Sequence, residues 1–433
     1  MLRWVKSRVA AERILRDGAL QTLSSASEGA EAHASAGDEV AMNEFTISHE
    51  EYVARRHQTQ LAMADEELDA VIAYSTAKAQ ANVRWLTSYY VRFTGMQTRP
   101  DGSYYMFGAT ACLVSADDAE PVVRTDQPWD VARCKDMSVY PDADGSDDLG
   151  AELGPIIANR GFKRVGIDNW YLFPAKDYMA LQNAAPNTEF VPTHLMSHVR
   201  RVKSATEQAI MRRAAQVAVA ATTKALDAVE VGGSEYEIQL ICEYEMRSAG
   251  DLHPSGESIG GCGPHTATGS YVPSRYRDRK MQAGEWVMLD VVPRVEGYCS
   301  DIGRHRLVGD PSDLDPKLRH MMDTTILMNE EVRKAVKPGI TGRQLNELAT
   351  KIATQEGLAE IKIALLGHGV GIDVHDIPDY YFDDNPLREG EVITVEPCLI
   401  LPNVAGTRIE DTVLVTADGS ETLTESPRCI DPN

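Results

Sequence analysis

Two stretches of this chain repeat one order of signals, and that repetition limits the fold more than any single motif. "VEVGGSEYEIQLICEYEMRSAG" and "VKPGITGRQLNELATKIATQEG" each follow a long helical pattern. Each holds a glycine turn, a capping box (Ser234 to Glu237, Thr341 to Gln344), a helical run and a closing glycine. The two caps are offset by 107 residues (341 − 234). We read this as an internal duplication, in which each half is helix, helix and then a β-hairpin.

The hairpins test that reading. In the first, "EWVMLDVV" runs to a turn at Arg294–Gly297 and "YCSDIGRHRLVG" returns, with Asp290 and Asp301 placed symmetrically about the turn. In the second, "EVITVEPCLIL" turns near Asn403 and "GTRIEDTVLVT" returns, with Glu396 and Glu410 symmetrical in the same way. An antiparallel ladder should make each pair cross-strand neighbours, with Cβ atoms about 4.5–5.5 Å apart. The 107-residue offset (341 − 234) carries Asp290 to within one residue of Glu396 and Asp301 to within two of Glu410. It carries His265 to a point between His368 and His375. Both halves thus supply an acid pair and a histidine at matching places.

Four carboxylates on adjacent strands repel one another and raise each other's pKa. A pair of divalent cations about 3.5–4 Å apart relieves that repulsion and makes a nucleophile of water without serine or cysteine. One imidazole completes such a set. A lone strand aspartate or a lone histidine carries little weight, because structural roles for both are common. Five residues on one duplicated pattern carry more.

The rest of the chain frames this site. Its 433 residues favour two domains. The formal net charge of −22 argues against nucleic acid or an anionic membrane surface as partner. Seven scattered cysteines without a C-x-x-C pair predict reduced thiols and a cytoplasmic location. Residues 1–41, with "SSASEGAEAHASAGDE", read as a disordered or dispensable arm. Residues 42–199 alternate short apolar runs ("ELDAVIAYS", "TACLVS", "RVGIDN") with helical patterns, which predicts a smaller α/β domain. The remainder, 200–433, opens on the capping box of Ser204 and Glu207 and holds the duplicated halves.

"LDVVPRVEGYCSDIGR", "GHGVGIDVHD", "ITVEP" and "TRIEDTVLVT" resemble the pita-bread metallohydrolases, among them aminopeptidase P, prolidase, methionine aminopeptidase and creatinase. "NVRWLTSYY" and "RRVKSATEQAIMRRAA" resemble the N-terminal domain and linker of the creatinase–prolidase branch. The resemblance implies an α/β chain: a creatinase-like N-terminal domain, then a pita-bread domain of duplicated α–β halves around a pseudo-two-fold axis. It implies Asp290, Asp301, His368, Glu396 and Glu410 as ligands of two divalent ions, with Asp301 and Glu410 bridging. Manganese is the expected metal, and iron, cobalt and zinc suit the same donors. Glu396 would also take a proton from the attacking water. His375 would hydrogen-bond the reacting group, His265 would orient it, and Arg408 would support the ligands or a substrate carboxylate. A homo-oligomer, dimer or larger, is also implied.

Two departures bear on the substrate. Gly303 in "SDIGRHR" stands where the peptidases usually carry a supporting threonine, and "YVPSRYRDR" enriches the loop after His265 in Tyr and Arg. These point first to a hydrolase cleaving a C–N bond of a small, carboxylate-bearing non-peptide, such as an aromatic amine of the nitroanthranilate type. The Arg-rich loop would then be a gate or clamp, against the plainer reading of a solvated loop. The alternative is an Xaa-Pro dipeptidase or aminopeptidase P-like peptidase, which the intact ligand set with His265, His375 and Arg408 favours. A lyase and a non-catalytic binding module rank below both. A chain starting at Met42 should fold and keep full activity, since residues 1–41 lack core-forming periodicity; loss of soluble protein on that truncation would show the arm to be structural.

Overall fold

A computed structural model of the chain describes residues 46–361, 367–380 and 384–430. The arm expected at 1–41 lies outside these residues. The three apolar runs of the N-terminal part become strands Ala70–Thr76, Ala109–Ser115 and Arg164–Asp168. They join Val122–Thr125, Ala143–Gly145 and Glu189–Thr193 in a six-stranded mixed sheet, with Ala70–Thr76 antiparallel to Ala109–Ser115 and parallel to Arg164–Asp168. Ala70–Thr76 is buried along nearly its whole length, as a continuous apolar run covered on both faces should be. Helices Leu149–Arg160 and Ala175–Ala184 pack Leu153, Ile157 and Leu181 against Ile72, Leu113 and Ile167.

The duplication is present as structure. Helices Ala205–Asp227 and Glu235–Ala249 precede strands Trp286–Val291 and Ile302–Leu307. Helices Pro316–Ala335 and Gly342–Gln355 precede strands Val392–Val395 and Asp411–Val415. The boxes at Ser204–Glu207 and Thr341–Gln344 close reciprocally. Ser234 accepts the Glu237 N–H but spends its hydroxyl on Asp278. The first half builds three strands of a four-stranded sheet, completed by Cys429–Ile430 from the end of the chain, and the second half builds a five-stranded one.

The second hairpin has the expected register: Cys398 faces Arg408 and Val395 faces Asp411, so Glu396 stands opposite Glu410. The first hairpin is a correction. Its turn is the two-residue Glu296–Gly297, both at positive φ (46° and 94°), which matches the twist of a tight hairpin. That turn places Asp290 opposite Gly303, so Asp301 is a diagonal neighbour of Asp290 and not its direct partner. Pro293, which has no N–H to give, lies in the gap between the two paired segments and carries the Ser300 N–H on its carbonyl.

Gly303 joins the halves. It exchanges both backbone hydrogen bonds with Glu410 (3.2 and 3.1 Å). Next to it, Arg304 is buried and reaches across: its Nη2 donates to Asp411 Oδ1 (2.6 Å) and to the Thr424 carbonyl (2.8 Å). Asp411 is fully buried and also faces Arg333 and Arg428, so burial that would raise its pKa is overcome and the carboxyl titrates below its usual range. Removing Arg304 would leave Asp411 to Arg333 and Arg428 but strip the buried Glu410 and Thr424 carbonyls of their donor. Arg304→Ala should therefore lower the unfolding free energy by roughly 1–3 kcal/mol in urea titration, and an unchanged unfolding free energy would show the arginine to be dispensable.

Candidate metal centre

Each candidate ligand stands at the end of a strand, where the alternation of the ladder turns it inward. Asp290 lies near the end of Trp286–Val291, and Asp301 immediately precedes Ile302–Leu307. Glu396 follows Val392–Val395, Glu410 precedes Asp411–Val415, and His368 opens the short strand His368–Gly369. All five are buried. Donor atoms of Asp301, His368 and Glu410 lie within 4.8 Å of one another. His368 Nε2 is 3.3 Å from Glu396 Oε1 and 3.8 Å from Asp301 Oδ2. Asp290 is held by the guanidinium of Arg408, whose Nε is 4.0 Å from Glu396 Oε2.

The electrostatics are those of a site short of positive charge. Burial first, and then the neighbouring acids, push Asp301 and Glu410 well above the usual carboxylate range. Burial lifts Glu396 to about 7, with Arg408 acting the other way. Asp301 Oδ1 and Glu410 Oε2 are buried without a hydrogen-bond partner, a condition that costs about 1–3 kcal/mol each. A cation satisfies both, and the donor set of one imidazole nitrogen and several carboxylate oxygens suits a first-row divalent metal. His368 is prepared for this: Nδ1 lies 3.0 Å from the Gly369 carbonyl, which accepts the Nδ1–H hydrogen bond and leaves the Nε2 lone pair inward.

Residues 209–417 match the sequence pattern of metallopeptidase family M24, and residues 55–202 match the Creatinase/Prolidase N-terminal domain. An Xaa-Pro dipeptidase of Pyrococcus horikoshii is 32% identical over 273 residues, covering 63% of this chain and 76% of that one. The chain belongs to metallopeptidase family M24. A crystal structure of the prolidase from Pyrococcus horikoshii superposes with a TM-score of 0.73 at 26% identity, covering 87% of this chain and 99% of the other. The Xaa-Pro dipeptidase from Bacillus anthracis gives 0.74 at 26% identity, over 88% and 100%. The M24 assignment makes the protein a metal-dependent hydrolase with the pita-bread fold. It also corrects the first functional expectation, a non-peptide C–N aminohydrolase. The relatives are named Xaa-Pro dipeptidase and prolidase, which supports the peptidase alternative.

Within this M24 site the remaining sequence candidates separate. The ring of His375 lies 4.3 Å from that of His368, but His375 is exposed where His368 is buried. Although the residue is exposed, its ring is partly desolvated, and this and then the neighbouring His368 lower its pKa, which favours the neutral ring. His265 makes its contacts elsewhere. Its Nδ1 is 2.7 Å from Glu235 Oε1, and its ring stacks on Tyr271 at 4.0 Å. Its turn, Gly263–Thr268, packs on the strand Ala405–Arg408 through the Gly406 N–H and the Thr266 hydroxyl (2.7 Å). In the Arg-rich loop, Arg279 is bound to Glu285, while Arg275, Tyr276 and Arg277 are exposed. Gly303 faces the cluster, and a Cβ there would sit 2.9 Å from Glu410 Cβ. Glycine at this position lets the two hairpins close.

Three supporting residues were not singled out from the sequence. The Thr412 hydroxyl accepts the Asp301 N–H (2.9 Å) and donates to the Asp301 carbonyl (2.7 Å). The Thr394 hydroxyl accepts the His368 N–H (3.0 Å) and donates to Glu396 Oε1 (3.2 Å). His305, fully buried and pushed down to about 3 by desolvation, is neutral and accepts the Arg408 N–H on Nε2 (3.0 Å). Period-two alternation from Asp301 through Gly303 to His305 was the available signal.

The segment carrying His375 is held from several sides. Cys299 N–H bonds the Gly371 carbonyl (2.8 Å), Arg294 Nη2 the Ile372 carbonyl (3.3 Å) and Gln80 N–H the Asp373 carboxylate (3.2 Å). Arg200 reaches Asp376 at 3.4 Å. Asp301→Ala and Glu410→Ala should each lower bound metal and reduce turnover below one per cent of wild type. Full occupancy with normal rates in both variants would remove them from the site.

Proposed function

We propose that this M24 chain is an Xaa-Pro dipeptidase-type metallopeptidase. The observation that carries the reading is the complete, buried and charge-deficient donor set in a chain whose relatives are named for that activity. Asp290, Asp301, His368, Glu396 and Glu410 would hold two divalent ions, manganese first among them. When bound, such ions supply Lewis acidity toward water and the scissile carbonyl. The chain's own groups do the rest. Glu396 takes the proton of the attacking water and passes it toward the leaving amine. His375, exposed beside His368, donates a hydrogen bond to the carbonyl oxygen as charge develops there. His265, fastened at Nδ1 by Glu235, keeps Nε2 for the substrate. Arg408, fastened through His305, orients Asp290. We propose a homo-oligomer, dimer or larger, as the working form.

The direct test is hydrolysis of a panel of Xaa-Pro dipeptides by the manganese-loaded protein, beside aromatic amines. Cleavage of the amines with no turnover of any Xaa-Pro peptide would overturn the reading. The two histidines should fail differently. His368→Ala should lose metal and turnover together. His375→Ala should keep its metal and its melting temperature and lose about 10²–10³-fold in kcat, the usual effect of removing one donor to a developing oxyanion. Wild-type kcat in His375→Ala would exclude the role assigned to it.

A further inference from the structure

A second polar cavity lies between segment 77–94 and segment 253–257. It encloses about 360 Å³ and is lined by Lys78, Arg92, Arg247, His253 and Arg294, with Glu257 the one acid in its wall. In a chain of net charge −22, a cavity of this sign stands against the field of the whole molecule. Lys78, Arg92, Arg247 and His253 are exposed at its rim. Arg247 is bound to Glu243 (3.0 Å), and Arg92 is 3.8 Å from Asp130.

Arg294 is different. Only 4% of it is exposed, and among the described residues no carboxylate touches it, Asp373 and Asp251 acting on it from farther away. It donates to two carbonyl oxygens, those of His253 and Ile372, both at 3.3 Å, and meets the Cys299 side chain. Its Nε is buried and unpartnered. A buried guanidinium with no carboxylate in direct contact keeps donor capacity unspent. Its planar fork is matched to carboxylate and phosphate oxygens.

We propose that this cavity binds a small oxyanion, a carboxylate or phosphate group, with Arg294 as buried anchor and Lys78 and Arg92 at the rim. The inference does not rest on the peptidase reading, since it concerns groups outside the metal centre and is read by binding. The test is calorimetric titration of the full, metal-loaded chain with inorganic phosphate and, separately, with acetate, at ionic strength held constant with chloride. One of the two should bind saturably, and which one does identifies the group. The double variant Lys78→Ala/Arg92→Ala should weaken that binding at least tenfold while metal content and peptide turnover stay unchanged. Arg294→Gln should weaken it further. Lys334→Ala, the same change of charge on the helix Pro316–Ala335, should leave it intact. Absence of binding above the chloride baseline would overturn the proposal. So would equal binding in the rim variant, because the anion would then belong to the metal centre.

Discussion

Four carboxylates that share one dry pocket cannot all be charged without a cation among them, and much of the catalytic half is arranged around that demand. Asp290, Asp301, Glu396 and Glu410 are brought together from two hairpins. Arg408 answers part of the charge and reaches Asp290 and Glu396 at ion-pair distance. Asp301 Oδ1 and Glu410 Oε2 have no hydrogen-bond partner among the described residues. The cost is borne by the surroundings. Arg304 on Asp411 ties the hairpins together directly behind the acids, and the Thr412 and Thr394 hydroxyls secure backbone and side chain where the ligands sit.

The duplication explains how such a cluster can be assembled. Each half supplies two helices and a hairpin, and the two hairpins meet at the paired backbones of Gly303 and Glu410. A cluster of acids split between halves responds to their spacing. In this chain the small residue at the join sets how closely the hairpins approach, because a side chain there would press on Glu410 and force the two apart.

What could be read in advance follows the range of the physics involved. The capping boxes at Ser204 and Thr341 and the second hairpin's register depend on neighbours a few residues away, and they stand plainly in the string. The first hairpin's register did not, because the position of its two-residue turn decides it and the same register runs unbroken past Pro293. The supporting roles of Thr412, Thr394 and His305 depend on which strand lies across from which, which spacing alone does not give. The substrate was misjudged for a related reason. Gly303 and the Tyr/Arg loop were weighed as evidence about chemistry. In the structure one is a packing requirement, and the other carries Arg279 on Glu285 beside largely exposed neighbours.

The loop that carries His375 has consequences beyond the pocket. Its backbone and acids are held by Cys299 and Arg294 from the hairpin, and by Gln80 and Arg200 from the N-terminal part of the chain. A substitution at Gln80 or Arg200 can therefore shift the backbone that carries His375 without touching any of the buried acids. The N-terminal part is in this sense a scaffold for that loop, and the sequence space open to it is narrowed by what it holds in place.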